Sequence, residues 1–157
     1  MRAETRVRID TAAGTIVVAL DEQRAPKTVA NFLRYVDSQR YTGGQFHRTV
    51  KTSPDNQPKK LVKINVIQAQ PLPGSGGFDP IPLERTSVTG LHHEDGTISR
   101  ARTGPDSAQG QFFICIGPQP ELDFGGKRNA DQQGLAAFGK VVEGMEVARK
   151  IQMSSAV

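Results

Sequence analysis

A mainly β domain with one helix early and another late is the fold class this sequence predicts, and three observations carry it. Short β-branched and aromatic runs recur along the 157 residues, with glycine and proline between them. Helical spacing of apolar residues occurs in two stretches, far apart in the chain. Hydrophobic residues make up 36%, enough for one core of ordinary size in a chain too short for two comfortable domains, so residues 1–157 read as a single domain. Many short strands with two separated helices favour a closed barrel or a sandwich over an alternating βαβ sheet.

Taken in order, Val7-Arg8-Ile9-Asp10 and Thr15-Ile16-Val17-Val18-Ala19-Leu20 are β-prone runs separated by Ala12-Ala13-Gly14, which predicts an opening hairpin. Pro26 has the fixed dihedral that suits a first helical turn, and Val29, Phe32, Leu33 and Val36 follow at i, i+3, i+4 and i+7. One amphipathic helix is expected there. A strand begins at 46–50 and gives way to the polar, proline-containing segment 51–60, an expected loop; the strand pattern resumes over 61–70. Pro71-Leu72-Pro73-Gly74-Ser75-Gly76-Gly77 breaks it again. Further strands are expected over 97–102, 111–116 and 136–142, and a second helix over 145–151.

Composition excludes several function classes. The net charge is +4, but apart from Lys59-Lys60 the cations are scattered and form no stripe for nucleic acid. Cys115, the single cysteine, lies in an apolar run and reads as a small buried hydrophobe, not a redox or metal group. His92-His93-Glu94 is dense in ligand types, yet no second histidine stands at i+4, and no metal is expected. Gly74-Ser75-Gly76-Gly77 has no lysine after it and reads as a turn, not a phosphate cradle. No apolar run approaches the roughly 18 residues that would span a bilayer, and residues 1–8 hold no apolar leader core. A cytoplasmic protein is the expectation, or a periplasmic or secreted one where a signal segment has been removed.

Three blocks point to a family. Phe46-His47-Arg48, Gln111-Phe112-Phe113-Ile114-Cys115 and Ala136-Ala137-Phe138-Gly139-Lys140-Val141 resemble those of cyclophilins, the peptidyl-prolyl cis-trans isomerases. Residues 25–32 and 96–102 match further family blocks in order, so the resemblance covers most of the chain. It implies a closed, eight-stranded antiparallel β-barrel capped by two α-helices, whose last strand follows the second helix; this sequence stops just after that helix, so the expectation is a barrel that lacks this strand or closes differently. It also implies action on proline-containing segments of unfolded or flexible client polypeptides, by a monomer, without cofactor, nucleic acid or membrane.

The chemistry is non-covalent. Rotation about an Xaa-Pro bond breaks amide resonance against a barrier of about 18–20 kcal/mol. A catalyst must hold the proline in an apolar pocket, fix the chain on either side and favour the twisted amide over both planar forms. The twisted prolyl nitrogen regains a lone pair that accepts a hydrogen bond, and a permanently charged, planar arginine suits that task. The resemblance gives this role to Arg48, with Gln111 bonding substrate backbone or orienting Arg48. It makes Phe113 the pocket floor, and strand alternation then sends Phe112 to the core. Gln68 matches the glutamine that supports the arginine; Ala101 and Arg102 match the segment on which substrate backbone docks; Leu122 matches a pocket leucine. His47 is not assigned a catalytic role, since isomerisation moves no proton.

The pocket's rim departs from the family pattern. Asn65 and Val66 stand where a phenylalanine and a methionine usually lie, so Asn65 replaces an aromatic wall. Glu121 occupies a frequent tryptophan position and Leu135 a histidine or tyrosine position, and Arg100 replaces a frequent methionine. Retention of Arg48, Gln111 and Phe113 favours an isomerase; Asn65, Glu121 and Leu135 favour the alternative, a binding module for proline peptides with little turnover.

Overall fold

The opening hairpin forms because two β-prone runs meet at a turn that Gly14 closes. In the computed structural model, which describes residues 5–51, 56–57, 62–72, 77–102, 106, 108–128 and 131–153, β1 (Thr5–Thr11) and β2 (Gly14–Leu20) pair antiparallel from Thr11 opposite Gly14. Gly14 has φ +139°, and a Cβ there would lie 2.8 Å from Val147 Cγ2, so backbone freedom and lack of a side chain are both needed. Helix α1 (Pro26–Asp37) starts on its proline as expected. Val29 and Phe32 enter the core, while Leu33 and Val36 pack at its margin. Tyr35, outside the predicted stripe, is also buried.

The remaining elements are β3 (Gln45–Val50), β4 (Val66–Gln70), the one-turn α2 (Thr86–Thr89), β5 (Thr97–Arg100), β6 (Phe112–Cys115), a 3-10 turn (Pro120–Leu122), β7 (Ala137–Glu143) and α3 (Met145–Met153). Both expected helices and the expected strands form, although the strand expected over 61–70 is confined to Val66–Gln70, with 62–65 outside it; α2 was unforeseen. Of the expected loop at 51–60, only Lys51, Asn56 and Gln57 are among the described residues, and 73–76 of the glycine-rich break lie outside them.

All pairings are antiparallel in one sheet ordered β1-β2-β7-β5-β6-β4-β3. The resemblance implied eight strands; seven form among the described residues. The sheet curls into a half-barrel whose end strands β1 and β3 border one apolar cleft of about 460 Å³, lined by Ile9, Ala13, Tyr41, Phe46, Phe112 and Ile151 among others. No described helix is long and apolar enough to cross a membrane.

Alternation along the strands divides the apolar residues between two clusters. Phe112 and Ile114 join Ile16, Val18, Leu20, Phe32, Ile67, Ile98 and Phe138 in the concave core, closed by Ala148 and Ile151 of α3. Phe113 and Cys115 face the other way and pack with Val50, Ile64, Val66, Leu122 and Leu135. Several of the residues predicted for the site, Phe113, Val66, Leu122, Leu135 and Ala101, lie in or against this second, smaller cluster.

Candidate active site

Register across four strands builds the site. Arg48 of β3 lies opposite Gln68 of β4, Gln68 opposite Phe113 of β6, and Phe113 opposite Ser99 of β5. Side chains on directly opposed residues share a face, so these four form one row across the sheet. Gln68 Nε2 donates to Gln111 Oε1 at 2.8 Å, which draws the residue just before β6 into the same group.

Arg48 is exposed and makes no hydrogen bond or ion pair with a described residue, so its donors are available. Burial, and then the Arg48 charge, lowers the pKa of neighbouring His47. The ring is therefore neutral at neutral pH. Arg128 is a second cation close by: burial first, and Arg48 second, pull its guanidinium below the usual range. Its Nη1 donates to Gln57 Oε1 at 2.7 Å and to Val62 O at 2.6 Å, which holds it in place.

The apolar side of the site is tightly filled. Phe113 is 4% exposed, and Val66, Leu122 and Leu135 are buried with it, with Ala101 against the cluster. Behind Phe113 the ring of His93 stacks at 5.9 Å and 12°. His93 is buried; its Nδ1 lies 2.7 Å from Asp123 Oδ1 and its Nε2 2.9 Å from Ser99 Oγ. Asp123 also accepts the His93 backbone N–H at 2.9 Å. Nδ1–H donates to the carboxylate, and Nε2 is paired with the serine hydroxyl. Burial alone would push the Asp123 carboxyl up, but the hydrogen bonds from His93 and the charges of His93 and His92 outweigh it and hold it low.

Three predicted site residues turn their side chains elsewhere. Asn65, expected as a pocket wall, directs its Oδ1 toward Gln152 Nε2 of α3 at 3.3 Å, and Ile64 packs in the Phe113 cluster instead. Glu121 is half-buried, and its Oε1 accepts the Lys127 backbone N–H at 3.2 Å, closing a turn. The Arg102 guanidinium pairs with Asp131 at 2.9 Å and 3.0 Å and donates to Gly134 O. His93 and Arg128 were missed. The dense His92-His93 pair was a signal, but its partner Asp123 is 30 residues away in sequence.

An apolar floor beside a row of hydrogen-bonding groups, with one free guanidinium at its end, suits holding and twisting an amide. A sequence model described as cyclophilin type peptidyl-prolyl cis-trans isomerase/CLD matches residues 6–157. The chain belongs to the cyclophilin family. Its activity is accordingly peptidyl-prolyl cis-trans isomerisation. This cyclophilin is 40% identical over 156 residues to peptidyl-prolyl cis-trans isomerase A of Dickeya dadantii, across 94% of this chain and 70% of that one. It is 33% identical over 155 residues to isomerase B of Escherichia coli, across 93% of this chain and 83% of that protein. Among solved structures, a Cryptosporidium parvum cyclophilin superposes with TM-score 0.76 at 24% identity, over 98% of this chain and 86% of that one. A structure of the same protein in the presence of the dipeptide Ala-Pro gives TM-score 0.75, also at 24% identity, over 96% of this chain and 87% of that one.

Proposed function

We propose that this cyclophilin acts on Xaa-Pro bonds of unfolded or flexible client segments through Arg48, with Gln111 and Gln68 positioning it and the substrate backbone. The observation that carries the reading is the registered row Arg48, Gln68, Phe113 together with the Gln68–Gln111 hydrogen bond. Substrate backbone lies along the Ala101 edge, and the proline ring meets the Phe113 cluster. The Cryptosporidium parvum relative was crystallised with Ala-Pro, which fits a ligand of this class. Because Phe113 is only 4% exposed, deep seating of the ring requires the rim formed by Ile64 and Leu135 to yield. One copy of the chain contains the whole row, so a monomer suffices.

Arg48 donates to the prolyl nitrogen only when the amide is twisted, since the planar nitrogen has no available lone pair. The interaction is therefore absent in the ground state and lowers the barrier directly. Removing one such preorganised donor costs about 2–4 kcal/mol, which is roughly 30- to 900-fold in kcat/KM. NMR exchange measurements on a panel of Xaa-Pro peptides, with Arg48→Ala alongside, test this. Catalysed exchange that collapses in a folded Arg48→Ala protein is expected. Equal turnover in both proteins would remove Arg48 from the mechanism.

A further inference from the structure

The least expected side chain in the molecule is Arg100, a charge sealed in an apolar core. It ends β5 opposite Phe112 and is 0% exposed. Its guanidinium carbon lies 5.2 Å from the ring centroid of Phe32 and 5.6 Å from those of Tyr35 and Phe138. It forms no ion pair with a described residue, and its Nε and Nη2 find no hydrogen-bond partner among them. Facing aromatic rings offset part of the charge, but a buried guanidinium with idle donors is costly where an unbranched apolar side chain would fill the same space.

All of its hydrogen bonding is spent on one place. Nη1 donates to Gly110 O at 2.9 Å, to Gln111 O at 3.3 Å and to Tyr41 Oη at 2.7 Å. Tyr41 Oη in turn donates to Gly110 O at 2.7 Å. The Ala101 backbone N–H donates to Gln111 O at 3.1 Å from the opposite strand. Two successive carbonyls are thus held by three donor groups. A Cβ on Gly110 would lie 2.7 Å from Pro71 Cγ and 2.8 Å from Tyr35 Cε1, so the backbone is also pressed against its surroundings. Burial pushes the Tyr41 hydroxyl up to about 12, with the Arg100 charge and hydrogen bond opposing, so it remains a neutral donor.

We propose that Arg100 is a positioning residue for isomerisation: from inside the core it locks the Gly110–Gln111 backbone, and so aims Gln111 and the adjoining Ala101 edge at the substrate. Charge-assisted bonds to carbonyls are shorter and stronger than neutral ones, which suits a clamp on the two residues that lead into β6. The inference rests on the role given to Gln111 above.

The test is a double-mutant cycle on the full chain, pairing Arg100→Met with Gln111→Ala and reading both kcat/KM by NMR exchange and the thermal midpoint. Arg100→Met is expected to leave the midpoint unchanged or raise it, yet to lower kcat/KM by about tenfold, in keeping with the large rate cost of sub-ångström to ångström misplacement. In the Gln111→Ala background the same substitution should cost less than twofold, because the group it positions is gone. A merely structural arginine would lower midpoint and rate together, or cost the same in both backgrounds, and either result overturns the inference. Should Arg100→Met fail to fold, Tyr41→Phe removes one donor of the clamp and runs the same cycle. An unchanged rate in Gln111→Ala removes the role of Gln111 and the inference with it. A loss in Gln111→Ala with none in Arg100→Met overturns the inference alone.

Discussion

Truncating Phe113 to alanine should damage stability and substrate handling together, and its magnitude follows from where the ring sits. The side chain is 4% exposed, packed with Val50, Ile64, Val66, Cys115, Leu122 and Leu135, and stacked on His93. Phe→Ala at such a site loses the transfer free energy of the ring and leaves a cavity that its neighbours close only in part, about 3–5 kcal/mol together. For a chain of this size about 2–4 °C accompanies each kcal/mol, so the thermal midpoint should drop by roughly 6–20 °C. Calorimetry gives the midpoint; titration with an Ala-Pro peptide, run well below the lowered midpoint, gives affinity on the same sample. Phe113→Leu should recover more of the stability than of the affinity, since it restores volume but not the flat ring face. A midpoint within about 2 °C of wild type would refute the packing, because ordinary surface changes have effects of that order. A large drop with unaltered peptide affinity would refute the placement of the proline against Phe113.

Arg48→Lys should retain the fold and recover only a minor part of the activity lost in Arg48→Ala, because a flexible ammonium lacks the planar fork of donors; kinetics matching wild type would show that charge alone suffices. The folded Asp123 carboxyl releases its proton more readily than the unfolded one, whose ordinary value is 3.8, so the unfolded state binds more protons in that window and stability falls as pH drops below about 4. Asp123→Asn should flatten this acid limb of the midpoint-versus-pH curve, and an unchanged limb would assign it to other carboxylates. β1 pairs with β2 on one side and with no described strand on the other, so its outward-facing amides should exchange faster than those of β6, which is paired on both sides. Equal strong protection by hydrogen-exchange NMR in a dilute sample would show that a further segment covers that edge.

Local pattern alone determined a large part of this molecule. The hairpin, the stripe Val29, Phe32, Leu33, Val36 and the order of strands follow from side-chain periodicity and turn residues, which act over neighbours in the chain. The opposite facing of Phe112 and Phe113 was legible for the same reason, because alternation in a strand leaves no other choice. Arg48, Gln68, Gln111 and Phe113 were legible through their motif contexts, and the register brings them into one group.

Tertiary structure decided what depends on residues far apart in sequence. His93 became the support of Phe113 through Asp123 and Ser99, Arg102 turned to Asp131, and Ile64 instead of Asn65 met the apolar cluster. Arg100 shows the division most clearly. Composition marks arginine as a surface residue, and alternation in β5 only assigns it to the face shared with Ile98. That this face is closed by α1 and the rings of Phe32, Tyr35 and Phe138, and that two carbonyls wait within reach of one guanidinium nitrogen, follows from packing. Periodicity dictates which way a side chain points, whereas its partners are set by the free energy of closing loops and burying surfaces between distant segments, which no local pattern contains.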